Sequence, residues 1–368
     1  MNYKELDTPS LIIDQETMLK NIEFMQTYAN DNKVLLRAHT KTHKMPEIAK
    51  IQVEYGSKGI AVAKVGEAEV MAKNGLNDIF IANEIVGDIK LERIAKLAKD
   101  IKISFGADSI EQLTNVQKIF SKYNLIANIL IEIEVGENRS GVIEEEDFVK
   151  LLSKIKESEN IKFEGIFSHD GNSYSAKTVA DCLQISINAQ QRTLDFAAIA
   201  EKQNLKCEVI SYGSTPTLFN KAPILKGITE IRPGTYIFMD AAQANAINDK
   251  SRCAAKVLAT VISKPTKERV ILDVGAKGLT MQERTAGICS TIGKGTIFGF
   301  DNLYIEKVFD EHAIINNEEF NNKVKIGDKV LIIPVHICPV CNLYEKAYLV
   351  SQDQVIKEID IACRAKLQ

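Results

Sequence analysis

The segment from Arg37 to Glu47 carries the densest set of chemically active side chains in the sequence. His39 and His43 lie on either side of Lys41, and no acidic residue interrupts the segment before Glu47. Neighbouring cations lower the pKa of a lysine, and a neutral lysine amine is the nucleophile that Schiff-base chemistry requires. The alternative is a solvated basic loop that precedes a helix, and charge alone favours that simpler interpretation.

Two further polar turns follow apolar runs that are typical of strands. The first turn holds Arg139 between glycines, and its guanidinium can donate fixed hydrogen bonds to an anion. The second turn begins with His169 and reaches Tyr174, a pair that could line a cofactor pocket at a strand end. Both turns also fit an interpretation without function, because glycine and asparagine are ordinary turn residues.

Two glycine-containing turns further along the chain are candidate phosphate sites. Backbone N–H groups and hydroxyls that follow barrel strands can bind a phosphate. The sequences Gly-Ser-Thr-Pro-Thr and Arg-Pro-Gly-Thr-Tyr place such donors at Gly213, Ser214, Thr215, Gly234, Thr235 and Tyr236. Either turn alone is a weak signal, since the same residues are common in turns that bind nothing.

A candidate metal site lies at the end of an apolar run near the C-terminus. His336 and Cys338 would project to the same side of an extended chain, and imidazole with thiolate suits Zn²⁺. Two protein ligands would leave coordination positions for substrate and water. Two other interpretations stay open: a buried strand end with small apolar cysteines, and a redox pair or half zinc site formed by Cys338 and Cys341.

The composition excludes several functional classes. Of 368 residues, 45% are hydrophobic and 26% are charged, and the formal net charge is -3. These values are typical of a soluble globular enzyme and give no electrostatic footprint for nucleic acid. We expect no membrane span and no signal peptide, because no apolar run is long enough and the N-terminal residues include acids. Seven cysteines without framework spacing favour a cytoplasmic location over a disulfide scaffold.

The elements that must position these residues change in type along the chain. From residue 8 to about residue 240, short apolar runs such as 11–14, 34–39 and 230–238 alternate with helix-period segments roughly eight times. This alternation predicts a parallel sheet, and its length fits a (β/α)8 barrel of about 250 residues. An open doubly wound sheet stays an alternative, although no G-x-G-x-x-G motif follows a strand.

Beyond the barrel, strand periodicity dominates and helical segments become few. Runs such as 257–262, 308–315 and 329–335 are separated by turns rich in glycine, aspartate and asparagine. We therefore predict a barrel over residues 8–248 and a mainly antiparallel β domain over residues 249–368, which residues 1–7 could join.

Taken in order, these motifs resemble those of the D-threonine aldolase and D-serine dehydratase family, fold type III pyridoxal-phosphate enzymes that share the barrel of alanine racemase. The segment Arg-x-His-x-Lys-Thr-His-Lys after the second strand matches the lysine motif of that family. The resemblance implies that pyridoxal 5'-phosphate is carried by Lys41 rather than Lys44. It also implies Arg139 near the phenolate oxygen of the cofactor, Tyr174 near the pyridine nitrogen, and His169 in the pocket wall. The six residues of the two glycine turns would bind the cofactor phosphate.

The resemblance further implies a divalent metal, Zn²⁺ or alternatively Mn²⁺, bound by His336 and Cys338. His-x-Cys resembles the dehydratase side of the family, whereas His-x-Asp is more typical of its aldolases. We therefore expect a lyase that acts on a D-β-hydroxy amino acid of the D-serine or D-threo-3-hydroxyaspartate type and yields a 2-oxo acid and ammonia. Retro-aldol cleavage to glycine and an aldehyde is the alternative.

Two other classes stay open. A metal-free racemase would need a second acid/base, usually a tyrosine of the β domain, and Tyr304, Tyr344 and Tyr348 do not stand in a racemase-like sequence context. A non-catalytic cofactor-binding protein would typically consist of the barrel alone. The resemblance also implies a homodimer whose active site lies near the subunit interface. The run Asp273 to Lys277 matches the family too, but we assign it no physical role.

Overall fold

The computed structural model describes residues 1–368, and its helices and strands fall into two units. The barrel unit consists of Met25–Lys41, Pro46–Gly234 and Ala365–Gln368, and the β unit of Met1–Phe24, Thr42–Met45 and Thr235–Arg364. Strands β1 to β18 are Ser10–Asp14, Leu35–Leu36, Ala38–His39, Ile60–Val62, Asp78–Glu84, Lys102–Ala107, Ala127–Ile133, Ile161–Ser168, Val209–Tyr212, Glu230–Ile231, Ala255–Ser263, Arg269–Leu272, Gly295–Ile297, Lys307–Val308, Ala313–Asn316, Lys329–Pro334, Lys346–Ser351 and Gln354–Asp360. Helices α1 to α12 are Gln15–Asp31, Pro46–Glu54, Val65–Lys73, Asp88–Leu97, Ile110–Tyr123, Glu145–Lys156, Val179–Lys202, Thr215–Phe219, Ala241–Ile247, Ala276–Leu279, Glu318–Lys323 and Ile337–Cys341.

The barrel unit contains one parallel sheet in the order β2-β10-β9-β8-β7-β6-β5-β4-β3. The sheet begins at β2 and ends at β3, and only Arg37 separates these two segments in the sequence. They are therefore two halves of one interrupted strand, so the sheet closes on itself with eight strand positions. Helices α3 to α7 alternate with the strands, and the predicted (β/α)8 barrel is confirmed.

Aromatic and charged side chains pack together on the barrel strands. Phe80 of β5 and Phe167 of β8 form an edge-to-face pair with ring centroids 5.1 Å apart, an arrangement that contributes about 1 kcal/mol beyond burial. The guanidinium of Arg232 lies 5.6 Å and 5.2 Å from the centroids of these two rings. It also donates to the carbonyl of Ser168 at 2.8 Å. The barrel is therefore a packed core and not an open channel.

The β unit contains a nine-stranded, mainly antiparallel sheet, as the sequence predicts. Its order is β14-β15-β12-β11-β1-β17-β18, and β16 pairs with both β11 and β13. Strand β1 pairs antiparallel with β11 and parallel with β17. The sequence pattern treats Leu11 to Asp14 as the first strand of the barrel, and this part of the prediction is wrong, because its hydrogen bonds go to the second sheet.

Three other segments differ from their predicted form. The run 230–238 keeps strand structure only in Glu230–Ile231, because Pro233 lacks an N–H and a 3-10 helix, Thr235–Ile237, follows. The run 308–315 is a hairpin of β14 and β15. Strand β18 has no counterpart in the prediction. No helix in the structure combines the length and the apolar character that a membrane span requires.

The Asp273 motif has a structural role inside the β unit. The carboxylate of Asp273 accepts a hydrogen bond from Thr8 Oγ1 at 2.5 Å and another from the backbone N–H of Thr260 at 2.7 Å. A Cβ atom at Gly275 would lie 2.3 Å from the carbonyl oxygen of Phe309. These contacts attach the N-terminal segment to the sheet, which gives the motif a physical explanation without chemistry.

Candidate active site

The basic segment that begins at Arg37 and continues beyond β3 is buried and not solvated. Arg37, His39, Thr42, His43 and Lys44 are each at most 7% exposed. Burying so many polar groups costs free energy unless each has a partner. The interpretation as an ordinary surface loop is therefore wrong.

Acidic residues of other strands compensate the first cation of this segment. Arg37 donates from Nε to Glu230 at 2.8 Å and from Nη1 to Asp78 at 2.6 Å. Although burial lowers the pKa of Arg37, the charges of Glu230 and Asp78 raise it above its ordinary value. Arg37 therefore holds the interrupted strand in the barrel, and its charge is largely neutralised at that position.

Lys41 lies in the turn that follows β3, at the carboxyl end of a barrel strand. Its backbone N–H lies 3.4 Å from His39 Nδ1, which therefore acts as an acceptor. Burial, followed by the charges of Lys41, Arg232 and His169, holds the pKa of His39 well below its ordinary value. The imidazole is neutral at physiological pH, and its lone pair orients the turn that carries Lys41.

Arg139, His169 and Tyr174 are brought together by an acidic residue. His169 Nδ1 lies 2.8 Å from Glu137 Oε2, and Arg139 Nη1 lies 3.3 Å from the same oxygen. The His169 and Tyr174 rings stack with their centroids 6.3 Å apart. Although burial raises the pKa of Glu137, His169 and Arg139 hold it below its ordinary value. The three predicted residues thus form one connected cluster in the barrel unit.

Glycine is required at the turn after β8 by the position of this carboxylate. A Cβ atom at Gly171 would lie 2.0 Å from Glu137 Oε1. A larger residue there would force Glu137 away from His169. The glycine of this turn therefore serves close approach of a side chain and not merely chain reversal.

Glu132 holds the other side of Arg139, and Glu84 lies beside Glu132. Glu132 Oε1 lies 3.1 Å from Arg139 Nη2, and Ser140 Oγ donates to Glu132 Oε2 at 2.7 Å. Burial, and then the neighbouring Glu132, raises the pKa of Glu84. Although burial raises the pKa of Glu132, its hydrogen bonds to Glu84 and Ser140 and the charge of Arg139 lower it. The proton of this pair therefore favours Glu84, and the negative charge lies on Glu132. The Arg139 side chain is still 49% exposed, so it can reach a bound anion.

The first glycine turn contains a buried polar atom that lacks a protein partner. Ser214 caps helix α8, and its hydroxyl lies 3.0 Å from that of Ser173. Thr215 Oγ1 is buried without a hydrogen-bond partner. Most buried polar groups in proteins are satisfied, so such an orphan marks a place for polar atoms of a ligand. The turn at Gly213 (φ 130°) is left-handed, a conformation that favours glycine.

The second glycine turn straddles the boundary between the units. Gly234 is the last residue of a barrel-unit segment, and Thr235 is the first residue of a β-unit segment. Within the β unit, Tyr236 is fully buried. Thr235 Oγ1 lies 3.4 Å from Cys338 Sγ. The structure thus joins a predicted phosphate residue to a predicted metal ligand.

His336 and Cys338 do not lie on an extended segment, so that premise of the prediction is wrong. His336 is the extended N-cap residue of α12, and Cys338 lies in its first turn. Strand β16 ends at Pro334, and the short helix begins three residues later at Ile337. The Cys338 thiol donates to Thr42 Oγ1 at 3.3 Å, and Thr42 is the residue directly after Lys41 in the sequence.

A buried carboxylate fixes the segment between the two candidate ligands. Asp240 Oδ2 accepts from the backbone N–H of Ile337 at 3.0 Å, and its Oδ1 accepts from that of Gln243 at 2.9 Å. Burial raises the pKa of Asp240 to about 6. His336 Nδ1 lies 3.0 Å from Gln282 Oε1. If Nδ1 donates this bond, the lone pair is on Nε2, which is the usual arrangement of a metal-binding histidine.

The donor set of this segment fits a weakly held divalent metal. One imidazole and one thiol are suitable Zn²⁺ ligands, and no group of three or more His, Cys, Asp or Glu side chains in the structure could hold a metal ion. Cys341 is fully buried, and burial is the main reason that its pKa lies well above the ordinary value. None of the seven cysteines forms a disulfide, so Cys338 and Cys341 are not a disulfide pair.

Sequence reasoning missed several residues that organise the site. Glu137 lies in the turn that holds Arg139, and an acidic residue two positions before an arginine is a signal that the sequence offers. Asp240 and Thr42 carried no such signal, because their partners lie 97 and 296 residues away in the sequence. Long-range contacts of this kind are visible only once the chain is folded.

Two family models match consecutive parts of the chain. The model described as alanine racemase, N-terminal domain, matches residues 13–242. A serine dehydratase domain model matches residues 254–350. Together they include every predicted site residue.

Relatives and solved structures match the chain along nearly its whole length. A D-threonine aldolase of Arthrobacter sp is 31% identical over 359 residues, which are 96% of this chain and 91% of the relative. The crystal structure of D-threonine aldolase from Filomicrobium marinum has a TM-score of 0.92 at 27% identity and covers 100% of this chain and 98% of that chain. D-threo-3-hydroxyaspartate dehydratase from Delftia sp. HT23 has a TM-score of 0.91 at 25% identity, with 98% of both chains covered. A cysteine-to-alanine variant of D-threo-3-hydroxyaspartate dehydratase, solved in the metal-free form, gives the same values.

Proposed function

Because the chain belongs to the alanine racemase N-terminal domain family, we propose that it is a pyridoxal-phosphate- and metal-dependent lyase of D-β-hydroxy amino acids. The preferred reaction is dehydration of a substrate of the D-serine or D-threo-3-hydroxyaspartate type to a 2-oxo acid and ammonia. One observation carries the proposal. The hydroxyl of Thr42, the residue that follows Lys41 in the sequence, lies 3.3 Å from the sulfur of Cys338, so the sequence neighbour of the candidate cofactor lysine contacts a candidate metal ligand.

The cofactor would be held by residues of the four strand-end turns and the lysine turn. Lys41 would carry it, and Arg139 would donate to its phenolate oxygen. Tyr174 would lie near the pyridine nitrogen, against the stacked ring of His169. The phosphate would be bound by Gly213, Ser214, Thr215, Gly234, Thr235 and Tyr236. The unpartnered hydroxyl of Thr215 supports this placement.

Each part of the site has a defined chemical task. Bound pyridoxal phosphate supplies an electron sink for a negative charge that develops at Cα. The Lys41 amine removes the Cα proton. His336 and Cys338 would hold the metal, whose positive charge polarises the β-hydroxyl. The hydroxyls of Thr42 and Thr235 can turn to donate to the Cys338 sulfur once it is a thiolate.

Dehydration is preferred over aldol cleavage because of the cysteine at position 338. A cysteine variant of D-threo-3-hydroxyaspartate dehydratase is described as metal-free, which supports a cysteine as metal ligand on the dehydratase side. The aldolase alternative is supported by the 31% identity to a D-threonine aldolase. Both reactions use the same residues, and they differ in whether the β-hydroxyl leaves or loses its proton.

The two other classes have less support. A racemase would need a tyrosine acid/base, but Tyr344 donates its hydroxyl to the carbonyl of Gly278, and Tyr304 donates to Asn302 in its own loop. A non-catalytic barrel protein would not need the β unit. We also propose a cytoplasmic homodimer with its active site near the subunit interface. Sedimentation of the active enzyme tests this, because a fully active monomer would contradict it.

Product analysis tests the reaction type. The holoenzyme is incubated with D-serine, D-threonine and D-threo-3-hydroxyaspartate, with metal added or chelated, and 2-oxo acid and glycine are quantified. We expect 2-oxo acid with an equal amount of ammonia from the metal-loaded enzyme. Glycine and an aldehyde as the main products would instead establish the aldolase alternative.

Replacing Arg139 by alanine is expected to weaken cofactor binding roughly tenfold or more, because a charge-assisted hydrogen bond to the phenolate is lost. The variant should still fold, since the Arg139 side chain is 49% exposed, but its thermal midpoint should fall because the buried Glu132 loses its cation. Equilibrium binding of pyridoxal phosphate measures the effect, and Arg139→Lys is the matched control that keeps the charge but loses the planar fork. Unchanged cofactor affinity and turnover in Arg139→Ala would refute the assigned contact.

Replacing Thr42 by valine is expected to weaken metal binding by roughly tenfold, because a partner that orients a metal ligand is removed at nearly constant volume. Thr42→Ser keeps the hydroxyl and should bind metal almost as the wild type does. Competition with a chelator gives the dissociation constant of the metal, and cofactor absorbance reports an intact fold. Equal metal affinity in the valine and serine variants would show that the hydroxyl has no such role.

A further inference from the structure

A cavity in the β unit lies apart from the residues assigned to cofactor and metal. Its volume is about 460 Å³, within the range of roughly 300 to 1,000 Å³ that small-molecule sites occupy. The aliphatic part of its wall consists of Ile12, Ile297, Leu331, Ile333 and Val350. None of the proposed active-site residues lines it.

One basic residue is buried in this aliphatic wall. Lys256 of β11 lies directly opposite Ile12 of β1 in the sheet and is only 6% exposed. Its ammonium donates to the carbonyl of Cys253 at 2.6 Å and lies 4.4 Å from the centroid of the Phe298 ring. Neither of these partners carries a negative charge.

A buried ammonium that forms no direct ion pair is costly, and a carbonyl, an aromatic ring and the more distant charge of Asp14 offset only part of that cost. Burial lowers its pKa, although Cys253 and Asp14 act in the opposite direction. A leucine or methionine would satisfy the packing at this strand position without the cost. The cavity beside the ammonium therefore has the properties of an anion site whose walls suit a hydrocarbon.

We propose that this cavity binds a small monocarboxylate with a short apolar chain. The carboxylate pairs with Lys256 Nζ, and the chain lies against the aliphatic wall. The ligand should carry no more than one negative charge, because Asp14, Asp301 and Asp353 also line the cavity and outnumber its two lysines, Lys256 and Lys250. Asp14 has a structural role of its own, since its Oδ1 accepts from the N–H of Thr17 at 2.7 Å.

Because this chain contains no tryptophan, a single introduced tryptophan can report ligand binding at the cavity by its fluorescence. Phe298 is 44% exposed, so Phe298→Trp places a single indole at the cavity with room for its larger ring. The holoenzyme of this variant is titrated with butyrate, 1-butanol and butylammonium, which share an apolar chain and differ in charge. We expect a saturable fluorescence change with butyrate and at least about tenfold weaker binding of the other two, because only the carboxylate forms a charge-assisted hydrogen bond.

Two double variants assign the effect to the buried amine. Adding Lys256→Met to Phe298→Trp should remove the preference for butyrate and leave the thermal midpoint unchanged or higher. Adding Lys307→Met, which removes an exposed lysine that does not line the cavity, should leave the preference intact. Retained cofactor absorbance shows that each variant is folded.

A second measurement does not depend on the tryptophan. Butyrate should raise the thermal midpoint of the wild type by binding the folded state, and butanol at the same concentration should not. Lys256→Met alone should abolish the butyrate effect. Equal binding of the three probes, no binding of butyrate, or a butyrate preference that survives Lys256→Met would each overturn the proposal.

Discussion

Replacing Lys41 by alanine is expected to remove the visible absorbance of the bound cofactor and to lower turnover by at least about three orders of magnitude. The amine is both the covalent attachment point and the base that removes the Cα proton, and either role alone is worth a large factor. Lys41 lies at the carboxyl end of a barrel strand, the face on which barrel enzymes place their chemistry. Absorbance spectra and steady-state kinetics on the purified variant measure both effects.

The neighbouring lysine is the matched control. Lys44 is 7% exposed, and its Nζ donates to Asn342 Oδ1 at 2.9 Å. Lys44→Met removes the amine, keeps much of the stem, and should leave the cofactor attached. If borohydride fixes the cofactor to the Lys41→Ala variant as efficiently as to the wild type, the attachment residue has been misassigned.

Chelating the metal is expected to slow turnover by roughly three orders of magnitude while leaving the cofactor absorbance intact. Loss of an electrophile worth several kcal/mol accounts for a factor of this size. With two protein ligands the site should exchange metal readily, so added Zn²⁺ or Mn²⁺ should restore activity. His336→Ala and Cys338→Ala should each resemble the chelated enzyme, with metal content measured alongside turnover.

Cys341→Ala is the matched control for the metal prediction. Cys341 belongs to the same short helix as Cys338 but is fully buried. Its loss should cost about 1 to 2 kcal/mol of folding free energy through a small cavity and leave metal affinity unchanged. An enzyme that turns over equally well after chelation, or one that requires Cys341 and tolerates Cys338→Ala, would contradict the metal-assisted mechanism and favour a racemase.

Most of the fold could be predicted from the hydrophobic periodicity of each segment and from the order of strands and helices along the chain. The exceptions have physical reasons. Alternation of apolar strands with amphipathic helices identifies the barrel, because that pattern has few other solutions. The strand Ser10–Asp14 reads like any other barrel strand, and only its pairing with β11 and β17 places it in the second sheet. Hydrophobic periodicity indicates that a segment is a strand, but the strand with which it pairs is determined by tertiary packing.

The site was predictable only where its residues lie in local motifs. The turn motifs in the sequence identify Arg139, His169 and Tyr174 as candidates. In the structure, Glu137 contacts Arg139 and His169, and the His169 ring stacks on Tyr174. The local geometry of His336 and Cys338 was not predictable, because Asp240 binds the N–H between them and helps define the start of a helix. A strand pattern followed by His-x-Cys gives no sign of a distant carboxylate that changes the backbone conformation.

The central claim is most directly tested by stereospecific product analysis of the metal-loaded holoenzyme. Separate D and L forms of serine, threonine and threo-3-hydroxyaspartate are supplied, and ammonia, 2-oxo acid, glycine and the enantiomer of each substrate are quantified together. A D-specific lyase should consume only D forms and release a cleaved or dehydrated product in equal amount. Interconversion of D and L forms without ammonia, 2-oxo acid or glycine would contradict the lyase assignment.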